Sequence, residues 1–164
     1  MEFTYHPTNF LDAEVSLFRD VYSHKPLKTI KFRDWLFKEN EILRCKVFKT
    51  RNEQKMELKL TLPCITGSGI ISGQRSDKNL KYHNGCIVID IDYKENNHIK
   101  DRDFFQLKEN VFSDINEICY AGLSVSGKGY YLIIRVENPI KHKEYFKYLS
   151  DWFKHALEIK IDDS

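Results

Sequence analysis

What the chain lacks narrows it quickly. Its four cysteines, Cys45, Cys64, Cys86 and Cys119, stand far apart, which argues against a disulfide framework and fits a reducing compartment. His83 and Cys86 with Cys64 upstream do not complete a Cys/His quartet at zinc-finger spacing. No apolar stretch approaches the ~20 residues needed to cross a bilayer. Residues 1–10 hold no basic segment followed by an apolar run, so no signal peptide is expected. A cytoplasmic protein with no membrane partner is the expectation. There are no internal repeats and no low-complexity segments. No catalytic triad can be nominated, because a triad is recognised by geometry and not by sequence order.

What is present is the composition of a soluble globular chain, with 30% charged and 41% hydrophobic residues over 164 positions. That length predicts one domain with a real core. Net charge is only +2, but it is unevenly spread. Residues 25–60 carry eleven Lys or Arg against five acids, leaving the rest of the chain acidic. Such asymmetry suits a side that faces nucleic acid, with Lys46, Lys49 and Arg51 as candidate contacts; a solvated helical surface explains it equally simply.

Residues 15–19 read as a strand. A helix is expected from Leu27 or Thr29 to about Asn40, a second over Glu41–Phe48, and a third over Asn52–Leu60 that stops before Pro63. Residues 70–75 suit a strand, and Lys81–Gly85 a loop. From Cys86 onward the pattern is strand (to Tyr93), helix (about Arg102–Phe112), strand (Ile118–Val125), strand (Tyr130–Val136), helix (about His142–Glu158), and the start of a strand at Ile159–Ile161. This is the β-α-β-β-α-β order of a ferredoxin-like, RRM-like sheet with helices on one face. The expected class is α+β, with an N-terminal αβ subregion (1–80) packed on a ferredoxin-like core (85–164). Trp35, Phe37, Trp152 and Phe153 are expected in the core.

Two stretches carry the chemistry. In Cys86–Tyr93 apolar and acidic residues alternate, so Asp90 and Asp92 share one face of a strand while Ile87, Ile89, Ile91 and Tyr93 share the other. Adjacent carboxylates repel, and a divalent cation relieves that; a solvated strand end is the plainer explanation. The second stretch, Gly122 to Gly129, nearly matches a P-loop but has Gly129 where the Mg²⁺-binding hydroxyl belongs, and it opens a strand and not a helix. Ser124, Ser126, Gly127, Lys128 and Gly129 can still form a phosphate cradle, or simply a glycine hairpin turn.

Together, Ile89-Asp90-Ile91-Asp92, Ser126-Gly127-Lys128-Gly129-Tyr130-Tyr131 and Ile161-Asp162 resemble the three motifs of the archaeo-eukaryotic primase and primase-polymerase superfamily. The nearest branch looks like the VirE N-terminal-domain-like proteins of bacterial mobile elements, which Leu62–Gly69 also resembles. The resemblance spans roughly residues 15–164. It implies two-metal transfer of nucleotides on a DNA template, with Asp90, Asp92 and Asp162 holding Mg²⁺ or Mn²⁺. It also implies that Ser126, Gly127, Lys128, Gly129 and Tyr131 hold the triphosphate of a nucleoside triphosphate, Tyr131 standing where the superfamily has a histidine. The chain would then be the N-terminal part of a longer protein, with a helicase region in the same or a neighbouring chain. A non-catalytic nucleic-acid-binding module of the same fold, or a small nucleotide-binding regulatory domain, are the alternatives.

Overall fold

The computed structural model describes residues 9–50 and 54–162. The chain forms two compact units, Met1–Cys86 and Ile87–Ser164, and is mixed α+β as expected.

In the first unit β1 (Glu14–Phe18) is the middle strand of an antiparallel sheet, flanked by β2 (Lys28–Lys31) and, further along the chain, β3 (Cys64–Thr66). Val15, Leu17 and Phe18 are buried on it. The helix expected from residue 27 or 29 begins only at Phe32. The tetrapeptide before it, with β-branched Thr29 and Ile30, pairs with β1 instead, Val15 opposite Ile30. Short local propensity yields here to a ready strand partner. From α1 (Phe32–Asp34) a π-helical turn (Trp35–Glu39) leads directly into α2 (Asn40–Lys49), so the two expected helices are one run. It buries Phe32, Trp35, Leu36, Leu43 and Val47. Phe37, expected in the core, is 56% exposed. The third helix, α3, covers Lys55–Leu60.

β4 (Gly69–Ile71) pairs with β5 (Leu80–His83), so most of the segment expected as a loop is strand. Only Asn84 and Gly85 turn, with Gly85 at φ 76°. Buried Asn84 explains why the turn is firm. Its side chain donates to the Glu14 and Gly67 carbonyls and accepts from the Cys86 amide.

The second unit holds β6 (Cys86–Asp92) from Ile87 on, the short helices α4 (Asp101–Phe104) and α5 (Leu107–Asn110), β7 (Ile118–Leu123), β8 (Gly129–Arg135) and α6 (His142–Ala156). The sheet order is β6-β8-β7, which sets the first and third strands of the β-α-β-β-α-β pattern side by side. Ile87, Ile89 and Ile91 of β6 and Tyr130, Leu132 and Ile134 of β8, with Val136 just after it, form one core with Phe104, Leu107, Phe112 and Phe153. Trp152 is half-buried against it. The single helix expected over 102–112 is broken at Phe105–Gln106. There the Tyr130 hydroxyl donates to the Phe105 carbonyl at 2.8 Å.

The last expected strand is not a regular ladder, yet its alternation is right. Ile159 and Ile161 are buried in the core, while Lys160 and Asp162 are exposed. The reason is Asn96, 0% exposed. Its amide donates to the Asp92 and Lys160 carbonyls, both at 2.9 Å, and accepts from the Lys160 N–H at 2.7 Å. One side chain thus takes backbone bonds that a paired strand would have made. The Asp162 N–H reaches the Asp90 carbonyl at 2.9 Å.

Asn96→Ala should cost about 2–4 kcal/mol, since it removes three hydrogen bonds made by a fully buried side chain; urea unfolding measures it, and a loss under about 1 kcal/mol would show that the pin is dispensable. Burial pushes the Tyr130 hydroxyl above its ordinary pKa, with Glu109 adding to the shift. A raised tyrosine keeps its stabilising neutral form below about pH 10 and loses it as pH rises through the folded value. Unfolding midpoints should therefore fall above about pH 10, and Tyr130→Phe should reduce that fall.

Candidate functional site

β6 positions the two carboxylates by its period of two. With Ile87, Ile89 and Ile91 held in the core, Asp90 and Asp92 can only point to the other face, and both are exposed. Asp92 also caps the short turn that follows, accepting the Lys94 N–H at 3.3 Å. On β8 the same alternation sends Tyr131 and Arg135 to this face. Ile133 belongs to it too but is 1% exposed, so the face is not open along its whole length.

The Ser-Gly-Lys-Gly segment is a hairpin turn joining β7 to β8. The Ser124 N–H donates to the Gly129 carbonyl and the Gly127 N–H to the Ser124 carbonyl, each at 2.8 Å. The Lys128 N–H reaches the Ser126 hydroxyl at 3.4 Å, and the Ser124 and Ser126 hydroxyls lie 3.2 Å apart. Three amides of the expected cradle are thus engaged within the loop. Gly127 sits at φ 70°, with open space where a Cβ would be; it is the left-handed residue such loops need. Gly129 has a different task. A Cβ there would lie 2.5 Å from the Ile91 carbonyl oxygen, so glycine is what lets β8 approach β6. Lys128 is exposed, and its carbonyl accepts the Tyr93 N–H at 3.0 Å.

β6 is therefore flanked on both sides by the other two motif stretches. The turn is tied to it just past Asp92, and Asp162 is tied to it at Asp90. Asp90, Asp92 and Asp162 share the face opposite the core. Among the described residues, however, no group of three His, Cys, Asp or Glu side chains is arranged to hold a metal ion. The donors are carboxylates, with the hard oxygens that Mg²⁺ and Mn²⁺ prefer. Mg²⁺ is commonly held by one or two carboxylates plus substrate phosphate oxygens and not by a complete protein cage, so the donor set fits in kind.

Lys46 and Lys49 are exposed on α2, whose Leu43 and Val47 are buried. They belong to the first unit. Arg51 lies outside the described residues.

Two residues of this region went unnoticed in the sequence. Asn96 carries no signal, being one polar residue in a polar loop. Tyr120 lies on β7, next to Gly122, which pairs with Tyr131. Its ring lies 5.4 Å from that of Tyr131, centroid to centroid, tilted by 34°. Strand alternation could have placed it, had the β7–β8 register been known.

An α+β domain with a carboxylate-bearing sheet face is thus the class that fold and site define. The chain belongs to the family described as BT4734-like, N-terminal domain, whose model matches residues 57–161. It is a family found in bacterial mobile-element-like proteins. The match takes in Asp90, Asp92 and the whole hairpin, and excludes Lys46, Lys49, Arg51 and Asp162. No curated protein and no solved structure matches the chain.

The two turn glycines should separate by stability. Gly129→Ala forces β8 off β6 and should cost about 1–3 kcal/mol. Gly127→Ala meets open space and should cost about 1 kcal/mol, from its left-handed backbone alone. Denaturant unfolding of both variants checks the order; a reversed order would refute the close-approach role of Gly129.

Proposed function

We propose that this chain is a primase-polymerase-like nucleotidyltransferase domain of a mobile-element replication protein. The observation that supports this best is the flanking of β6: the hairpin is bonded to it beyond Asp92 and the Asp162 amide to it at Asp90. Three stretches far apart in sequence thereby meet at β6. In this reading Asp90 and Asp92, with Asp162 or substrate phosphate oxygens, hold Mg²⁺ or Mn²⁺. When bound, such an ion neutralises charge on the attacking and leaving oxygens of a phosphoryl group. The exposed Lys128 ammonium and the Ser124 and Ser126 hydroxyls orient the phosphates of a nucleoside triphosphate. The exposed Lys46 and Lys49, with Arg51, contact the backbone of a DNA template. A cytoplasmic setting and a helicase region as partner belong to the same proposal.

A second reading is a nucleic-acid-binding module of the same fold without catalysis. Tyr131 favours it, because a tyrosine side chain has no cationic form and cannot supply the positive charge of an imidazolium.

The test is nucleotide incorporation on a primed DNA template in Mg²⁺ or Mn²⁺. Incorporation is expected, and Asp90→Asn with Asp92→Asn should reduce it to background. No incorporation under either metal would favour the second reading. Binding to DNA should in both cases weaken with salt, and Lys46→Glu or Lys49→Glu should weaken it further and flatten the salt dependence. Affinity indifferent to salt and to both charge reversals would refute the DNA contact.

A further inference from the structure

We propose that Tyr120 and Tyr131 form a platform on which the base of a nucleotide stacks. The site lies on the sheet face that also bears Asp90 and Asp92, so the proposal deepens the nucleotide-handling reading and rests on it. The two rings come from adjacent strands, with centroids 5.4 Å apart, and both residues are half-buried. Gly122 makes this arrangement possible. A Cβ at that position would lie 2.5 Å from Cε1 and 2.6 Å from the hydroxyl oxygen of Tyr120. With no side chain there, the Tyr120 ring lies down over the β7 backbone toward Tyr131, which faces Gly122 across the strands.

Rings that merely covered a bare glycine would need no polar surroundings. These have the surroundings of a nucleotide. Lys128, exposed, precedes Tyr131 by three residues on the same strand and turn, roughly 10 Å along the backbone. The Ser124 and Ser126 hydroxyls sit at the same hairpin tip. On the other side, Asp90 and Asp92 of the neighbouring strand present negative charge. A phosphate is drawn toward Lys128, whose backbone is bonded to the chain just past Asp92, while the base, uncharged and flat, takes the rings. A π-surface with a cation at one end and carboxylates at its flank complements a nucleotide better than it does a peptide or a lipid. Stacking of this kind accepts every base, since each has a π-face. The platform therefore supplies affinity without base selectivity.

The nucleotide can be free or part of a single strand, and the measurement separates the two. Fluorescence anisotropy of a labelled oligothymidylate, and of a fluorescent nucleoside triphosphate, is read with the full chain in Mg²⁺. An abasic strand of the same length serves as a control with phosphates and no bases. Tyr131→Leu and Tyr120→Leu keep the bulk over Gly122 and remove the π-face; Tyr131→Phe keeps it. Each Leu variant should bind the base-bearing probe at least about fivefold more weakly, and the Phe variant as well as the native chain. The native chain should bind the abasic strand as weakly as the Leu variants bind oligothymidylate. Loss confined to the triphosphate assigns the platform to an incoming nucleotide, and loss confined to the strand assigns it to the template. Leu variants that melt with the native chain and bind both probes with native affinity would overturn the proposal. So would an abasic strand bound as tightly as oligothymidylate. Failure of the enzymatic reading has a separate signature: base-dependent binding persists while incorporation is absent.

Discussion

A single buried amide holds the ends of the second unit together. Asn96 leaves the chain just after β6 and grips the Asp92 carbonyl on one side and both backbone groups of Lys160 on the other. Without a ladder of its own, the 159–162 segment is held alongside β6 by this side chain and by the Asp162–Asp90 backbone bond. The consequences run in both directions. Ile159 and Ile161 enter the core, and Lys160 and Asp162 are turned out to the face that bears Asp90 and Asp92. Every functional reading of Asp162 rests on that placement. The cost of a buried, unsatisfied amide is what makes the pin specific, because any other register of the segment would cost Asn96 both of its bonds to Lys160.

The hairpin shows how one glycine motif can serve structure and chemistry together. Gly127 provides the left-handed residue that closes the turn, and Gly129 provides the close approach to Ile91. Both requirements are met before any phosphate is considered, so the glycines by themselves are weak evidence for a ligand. The stronger observation is the Tyr93–Lys128 backbone bond, which brings the turn to the end of the carboxylate strand. Lys128 and the serine hydroxyls are then held on the turn, and the aromatic pair on the strands, of one hairpin.

Much of this was legible in the sequence. The period-two pattern of Ile87, Ile89 and Ile91 against Asp90 and Asp92 dictated which face each takes, and the same pattern ordered Tyr130, Leu132 and Ile134 on β8. The amphipathic spacing of α6 was equally clear, and Phe153 is buried as it implied. Elsewhere local signals misled. Lys28–Lys31 and Leu80–His83 became strands because a neighbouring strand was available to satisfy their backbone groups, and availability of a partner is not written in four residues. Phe37 is exposed because the helical run turns its other apolar residues, and not that one, to the core.

The sequence alone determined the α+β class, the order of elements in the second unit and the outward direction of Asp90 and Asp92. These follow from side-chain period and hydrophobicity, which act over a few residues. Tertiary structure alone decided that the hairpin and the Asp162 segment flank β6, that Gly129 is a contact glycine, that Asn96 is a pin and that Tyr120 meets Tyr131. Each of these depends on the register between chain segments roughly 10 to 70 residues apart. Register is set by the summed packing and hydrogen bonding of the whole unit, which no short stretch encodes.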